Sequence, residues 1–428
     1  GVTVVISWLP VSPVLCAGSQ VMRSSTLPLL AFCVLAHGVF CQPRRADADD
    51  PALLSAALDP LLSCLSGQRE SFAMTAEITI PIDGRLQRVD AKFVRFDDQQ
   101  FDLGLRHDDY AFEVSRRDES TAIVLPLHRT VYYGSGDVDP IDNLAMSDIA
   151  GRLVSSGTIA SMYLSMLQPQ NKAALAATAA QLLKLRYVPE DDHWQAADGW
   201  TLRLADSGRE LHFVDGSTEV HLQIVPSPET AAAMSWPGMT RIEISREEIE
   251  RQLARGFRRT LEIVSPSPML TSPAQRGRTV PHGELRWVGG QRLVLLHGTP
   301  EQIGKAHGEL LRNEATRCID SVLYAFGTVQ TIRTGRWFRQ ELDDAYQQLA
   351  PYIPEDHKTE TRALASSLAM DERLVQTINV FPELFHCSGF AVFGKATKDG
   401  KLYHGRVLDY MTTIGLQDAA TTFIVAVD

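Results

Sequence analysis

Between Ser71 and Tyr133 apolar residues alternate with polar ones in short runs: Ala73–Ile80, Val89–Phe96, Tyr110–Val114 and Thr121–Leu125. A period of two in several short runs, with turn residues between them, predicts an antiparallel sheet with one buried face. From Ile141 to Leu185 the chain turns rich in Ala, Leu and Met, and a helical patch is expected there. The strand pattern resumes at Trp194 and runs through Trp200–Leu204, Leu211–Val214 and Glu219–Val225, with Asp198-Gly199 and Asp215-Gly216 as hairpin turns. A helix is expected over Ser245–Phe257. The stretch Ser265–Gly277 is rich in Pro and Ser, lacks any period, and reads as a linker.

Beyond it, Glu284–Val288 and Arg292–Leu296 flank Gly289-Gly290, a hairpin signature. Thr299 suits a helix N-cap, Pro300 the first helical position, and Gln302 completes a capping box. The helix so started is expected to run toward Tyr324. Its glycines Gly304 and Gly308, four apart, suit close approach of another backbone, and helix packing is the simpler role for His307 between them. Further helices are expected over Arg339–Leu349, Pro354–Met370 and Asp371–Asn379, ending before Pro382. Thr421–Val427 reads as a strand entering a core; it ends one residue before Asp428, so the chain is expected to be a fragment.

The composition adds limits. The 428 residues are 44% hydrophobic and 22% charged, with a formal net charge of −11. This is ordinary globular composition and excludes a disordered or fibrous chain. An acidic balance also argues against a nucleic-acid partner, which leaves a basic footprint. Six cysteines, three of them (Cys16, Cys33, Cys41) near the start, are too few for a disulfide scaffold. Met22-Arg23, the apolar stretch Leu27–Phe40 and the polar exit Gln42–Arg45 read as a secretory signal. Its apolar core is too short to span a bilayer comfortably. Residues 1–45 are therefore expected to be a leader, with Met22 as the true start, and the protein to be secreted or periplasmic. A retained anchor is the plainer alternative. A lipidated Cys41 is disfavoured by the bulky Phe40 before it.

Candidate chemistry is concentrated in one place. His107, His128, His193 and His212 share no metal-ligand spacing, and each reads as a surface or satisfied histidine. The stretch that stands out is Phe385-His386-Cys387-Ser388-Gly389-Phe390, followed by Lys398–Tyr410. Cys387 opens an apolar strand, Asp399-Gly400 turns the chain, and Leu402–Leu408 returns. Such a hairpin brings the start of its first strand near the end of its second, so Cys387 and Asp409 can be neighbours. Arg406 and Asp409 have opposite strand parity, so a bulge or twist is needed to aim both at Cys387. The plainer reading is an inert buried cysteine at a strand start. A papain-like pair of Cys387 with His404 is a lesser enzymatic alternative, since His404 is more simply a strand residue. Cys318 lies in a helical apolar pattern with Ala315, Ile319 and Leu323 and reads as core.

These residues resemble the N-terminal nucleophile (Ntn) hydrolases of the isopenicillin-N acyltransferase and choloylglycine hydrolase type. That family pattern is a Cys-Ser or Cys-Thr pair, a strand, a Gly turn, and Gly-Arg-Asn-x-Asp. It stands here as Cys387-Ser388 and Gly405-Arg406-Val407-Leu408-Asp409. The segment Leu296–Gly308 is similar to the opening of the acyltransferase-type proregion, so the resemblance spans residues 285–428. Val407 replaces the usual Asn, and His386 precedes the nucleophile. The resemblance implies a precursor that cuts its own His386–Cys387 bond and then uses Cys387 as nucleophile. Its α-amine would be the base, Arg406 would favour the thiolate, and Asp409 would orient the amine, with an oxyanion donor supplied by an Asn further downstream. It also implies a small amide or acyl substrate and no cofactor or metal.

The expected fold is α+β. An N-terminal antiparallel β-rich domain with helices (residues 50–264) is followed by a linker (265–277). Residues 278–428 would be the proregion helices and first strands of an αββα Ntn-hydrolase sandwich. The first domain weakly resembles the half-barrel of lipoprotein carriers, which implies lipid contact through it. A non-catalytic lipid or acyl-chain carrier with a degenerate hydrolase domain is the alternative function.

Overall fold

The computed structural model describes residues 4–6, 50–65, 71–138, 143–144, 185–264, 275–384, 388–407 and 414–428, apart from positions 83, 197, 198, 226, 228 and 229. The expected apolar leader core, most of the Ala-rich patch and most of the linker lie outside the described residues. The protein is a mixed α+β chain. Its strands are β1 (Val4–Ile6), β2 (Phe72–Ile82), β3 (Arg85–Arg95), β4 (Phe101–Arg106), β5 (Ala111–Arg117), β6 (Ser120–Leu125), β7 (Thr130–Ser135), β8 (Arg186–Val188), β9 (His193–Gln195), β10 (Thr201–Ala205), β11 (Glu210–Asp215), β12 (Thr218–Val225), β13 (Thr240–Glu243), β14 (Arg278–Val280), β15 (Gly283–Val288), β16 (Gln291–Gly298), β17 (Ser388–Gly394), β18 (Gly400–Val407) and β19 (Thr421–Val427). The α-helices are α1 (Asp50–Leu65), α2 (Arg246–Val264), α3 (Pro300–Ile319), α4 (Gly327–Thr334), α5 (Phe338–Leu349), α6 (Glu355–Leu368) and α7 (Glu372–Asn379).

The chain forms two compact units, one of residues 20–273 with 328–335 and one of residues 1–19, 274–327 and 336–428. The first is built on a sheet in the order β13-β7-β6-β5-β4-β3-β2-β12-β11-β10-β9-β8. Strands β2 to β7 form one meander and β8 to β12 another, and the antiparallel pairing of β12 with β2 joins them. The two strand-rich stretches on either side of the Ala-rich patch thus share one sheet. β13 is the exception in direction, lying parallel to β7 at the edge.

Alternation decides which face is buried. Along β2, Phe72, Met74, Ile78 and Ile80 point into a core shared with Leu202, Leu211, Phe213 and Val220, under Leu54 and Cys64 of α1. At the other end of the sheet, α2 lies over β6 and β7. It starts one residue after the expected Ser245 and runs seven past Phe257, to Val264.

The contact of α2 with the sheet is polar at its centre. Glu250 is fully buried and gathers donors from every side: Arg116 Nε at 3.0 Å, Arg246 Nε at 2.9 Å, Thr121 Oγ1 at 2.5 Å and the Leu144 amide at 2.9 Å. Arg116 also donates to Gln99 and Asn143, and Arg246 to the carbonyls of Arg117, Asp118 and Gly136. Burial pushes the Glu250 carboxyl up, but the hydrogen bonds from Arg116, Thr121 and Leu144 and the Arg116 charge outweigh it. The net effect holds it below the ordinary carboxylate range.

The second unit holds a sheet in the order β1-β19-β16-β15-β14. Gly289 and Gly290, both at positive φ (58° and 81°), make the tight β15–β16 turn. β19 runs parallel to β16, and Val4–Ile6, assigned to the leader by sequence, pair antiparallel with β19. α3 covers this sheet, with Ile303, Ala306, Leu310 and Leu311 packed on Leu285, Val294 and Leu296. Its capping box forms as expected: the Gln302 amide donates to Thr299 Oγ1, and the Thr299 amide donates to Gln302 Oε1.

The Gly304–Gly308 spacing is explained by α6, which packs along α3. A Cβ at Gly304 would overlap the carbonyl oxygen of Glu360, and one at Gly308 would lie 2.6 Å from Ser367 Oγ. After α3 the chain continues through a π-helical segment, Asp320–Phe326, into α4. Residues 328–335 then pack with the first unit rather than the second. There His128 Nε2 meets the Ile332 carbonyl at 3.0 Å, and the Tyr132 hydroxyl donates to Gly335 O at 2.8 Å.

Two substitutions test this packing. Gly304→Ala gains about 1 kcal/mol in helix propensity, yet the overlap with α6 should cost more, for a net loss of roughly 1–3 kcal/mol in chemical denaturation. Glu250→Ala leaves two arginines buried without their partner and should cost about 3–5 kcal/mol. Because the folded carboxyl is held low, its contribution is complete above the unfolded value of about 4.3 and is lost as pH falls through the folded value. Glu250→Gln should therefore melt lower than wild type at neutral pH and lose less additional stability on acidification; parallel acid melting curves would contradict this.

Candidate active site

The candidate site is organised by the β17–β18 hairpin, which forms its own two-stranded sheet among the described residues. From the end away from the turn, Ser388 opposes Val407, Gly389 opposes Arg406, Phe390 opposes Gly405, and Ala391 opposes His404. His386, Cys387 and Asp409 lie outside the described residues. In sequence Cys387 directly precedes β17, and Asp409 follows β18 by two positions. The Arg406 backbone sits in the pair next to the end away from the turn. The bulge or twist expected between Arg406 and Asp409 falls on a stretch that lies outside the described residues; within the hairpin the register shifts between Val392 and Gly394, toward the turn.

The same register weakens the papain-like alternative. His404 pairs three residues beyond Ser388, about 10 Å further along the strand at ~3.3 Å per residue, and it is exposed. Cys318 is half-buried on α3 rather than fully in the core, and its neighbour Ile319 is the buried residue.

The other histidines have structural surroundings. His107 is held between Gln87 Oε1 at 2.6 Å and the Asp109 amide at 3.0 Å, and it stacks on Tyr110. His212 and His221 face each other across β11 and β12, bonded to Glu219 and Glu210 at 2.6 Å each. The His193 side chain forms no hydrogen bond or ion pair among the described residues and is half-buried, while its backbone pairs with Val188 on β8. Among the described residues no three His, Cys, Asp or Glu side chains converge as metal ligands.

Sequence reading missed the Arg116–Glu250–Arg246 cluster, the most buried collection of charge among the described residues. Its signal was weak, because its members are far apart in the chain. Both Glu250 oxygens and every nitrogen of Arg116 and Arg246 are engaged within the fold, so the cluster serves the structure. His307 is likewise a packing residue: its ring lies 4.9 Å from that of Phe423 on β19. Desolvation pushes its pKa down to about 4.

The sequence matches no protein-family model and no curated protein. Among the described residues no helix is long and apolar enough to cross a membrane.

The state of His307 can be read in solution. It is neutral when folded at pH 7, and an unfolded histidine titrates near 6.5. A depressed folded value means the fold is favoured fully above about 6.5 and loses stability as pH falls toward 4. Denaturation of the wild type should show this loss across that window, and His307→Leu should be flatter there. Equal pH dependence in the two proteins would place the titrating group elsewhere.

Proposed function

We propose that the chain is the precursor of a secreted cysteine Ntn hydrolase that cleaves or transfers an acyl group from an amide. The observation that carries this reading is the hairpin register. Pairing of Ser388 with Val407 and of Gly389 with Arg406 joins the strand that follows Cys387 to the strand that carries Gly405-Arg406. Residues paired across an antiparallel ladder are about 4.5–5.5 Å apart. The Arg406 backbone is thus supported as a near neighbour of the strand that Cys387 opens. The α3 cap, its packed glycines and the short helices before Cys387 are compatible with a proregion, and the αββα sandwich is the fold this reading carries with it.

The chemistry follows from those groups. In the precursor the Cys387 thiol attacks the His386 carbonyl carbon. The C–N bond breaks, the acyl group passes to sulfur, and the nitrogen becomes the α-amine of Cys387. Water hydrolyses the thioester and leaves a chain that begins at Cys387. An amide nitrogen cannot serve as a base, whereas an α-amine titrates near ~7.7–8.0, close to the ~8.5 of a free thiol. The freed amine can then take the thiol proton as the sulfur attacks a substrate amide, and return it to the leaving amine. Arg406 would favour the thiolate by its charge, and Asp409 would accept a hydrogen bond from the new amine. The resulting acyl thioester is released by water or by an acceptor nucleophile.

The acyl-carrier reading keeps one observation in its favour, the twelve-stranded open sheet of the first unit. Activity of the full-length protein separates the two. Cys387→Ala should abolish amide hydrolysis, and Cys387→Ser should retain slow turnover. Arg406→Ala and Asp409→Ala should each lower kcat by about 10²–10⁴-fold, the range of a positioned acid–base group, with circular dichroism unchanged. Wild-type amidase activity in Cys387→Ala would overturn the enzyme reading and leave the carrier.

A further inference from the structure

The β11–β12 hairpin brings together two histidines that the sequence keeps apart. Asp215 pairs with Thr218, and Gly216, at a φ of 57°, opens the two-residue turn between them. The register follows from that turn and sets His212 directly opposite His221. Every second residue of a strand shares a face, so Glu210 and Glu219 stand on the same face as the two rings, at opposite corners. Leu211, Phe213 and Val220 alternate with them and point into the core, which keeps the polar face turned outward.

The hydrogen bonds of these four side chains set their chemistry. His212 Nε2 meets Glu219 Oε1 at 2.6 Å, and His221 Nε2 meets Glu210 Oε1 at 2.6 Å. A carboxylate only accepts, so in each neutral ring Nε2 carries the hydrogen and Nδ1 keeps its lone pair. Neither Nδ1 forms a hydrogen bond among the described residues. A ring whose one N–H is held by a carboxylate, with the other nitrogen available, is the arrangement that orients metal-binding histidines and raises their basicity. Both rings have it here. Their centroids are 6.0 Å apart. Two imidazoles sharing one ion at ~2.0–2.1 Å have centroids roughly 5–6 Å apart, so the pair is already near that spacing.

The neighbours do not compete. Arg203, opposite His212 on β10, directs Nη2 to the Asp191 carbonyl at 3.0 Å, and Glu77, opposite His221 on β2, is paired with Arg88 at 3.0 Å. The His212 and His221 side chains are 37% and 35% exposed, which leaves room for water beside them. No third His, Cys, Asp or Glu converges with them as a direct ligand among the described residues.

We infer that His212 and His221 form a two-histidine site for a divalent cation of the zinc, nickel and copper class. Both Nδ1 atoms hold the ion, Glu219 and Glu210 orient the rings, and water fills the remaining positions. Imidazole favours these ions over Mg²⁺ and Ca²⁺, which prefer oxygen ligands. The ion ties β11 to β12, next to the β12–β2 pairing that joins the two meanders. The site needs only two adjacent strands and their turn, and it stands whether or not Cys387 is a nucleophile.

Calorimetric titration of the 428-residue chain with Ni²⁺ tests it, with Mg²⁺ as the comparison. Ni²⁺ is expected to bind and to raise the melting temperature, and Mg²⁺ to do neither. His212→Gln and His221→Gln should each remove one binding site together with the thermal shift. Glu210→Ala and Glu219→Ala should each weaken that site about 10–100-fold. None of the four side chains lies in the core, and unchanged melting without metal verifies the fold. Absence of Ni²⁺ binding, equal binding of Mg²⁺, or the full number of sites in either histidine variant would each overturn the inference. So would carboxylate variants that bind Ni²⁺ as tightly as wild type.

Discussion

A carboxylate taken wholly out of water must find a full set of donors, and Glu250 dictates how the first unit closes. Its partners come from β5, β6, the Leu144 amide and the first turn of its own helix. Each arginine that serves it then spends its remaining donors on carbonyls and amides nearby. An apolar contact would tolerate α2 sliding along the sheet. This one does not, because any shift leaves a buried charge without its partner. The register of α2 on the sheet is thereby fixed. The second unit meets an equivalent constraint through steric exclusion: α3 and α6 lie so close at Gly304 and Gly308 that no side chain fits between them.

The sequence was informative where a local rule governs. The period of two identified β2, β3, β5 and β10 to β12 because each has one face toward the core, whereas β6 is an apolar run buried on both faces. The capping box at Thr299 and the Gly289-Gly290 turn are decided by a few adjacent residues, and both form as read. Asp371 likewise caps α7, accepting from the Leu374 amide at 2.9 Å. What escaped was non-local. β13 joins β7 in parallel across more than a hundred residues. Its short, fully exposed segment Thr240–Glu243 carries no alternation to notice. α4 reads as the continuation of a long helix, and nothing in Gly327–Thr334 announces that it packs with the first unit.

The candidate site was legible to a different depth. A cysteine, a turn and a Gly-Arg-x-x-Asp run are visible in one dimension, and a hairpin is the simplest structure that unites them. The structure adds the pairing Gly389–Arg406 at the end of the hairpin away from the turn, and the lysines Lys395, Lys398 and Lys401 fall at the turn.

The central claim concerns the bond before Cys387, and the covalent structure of the mature full-length protein tests it most directly. Intact mass and N-terminal sequencing should reveal two polypeptides, the second beginning at Cys387 with a free amine. A single chain, uncut at His386–Cys387 in fully active protein, would contradict the account.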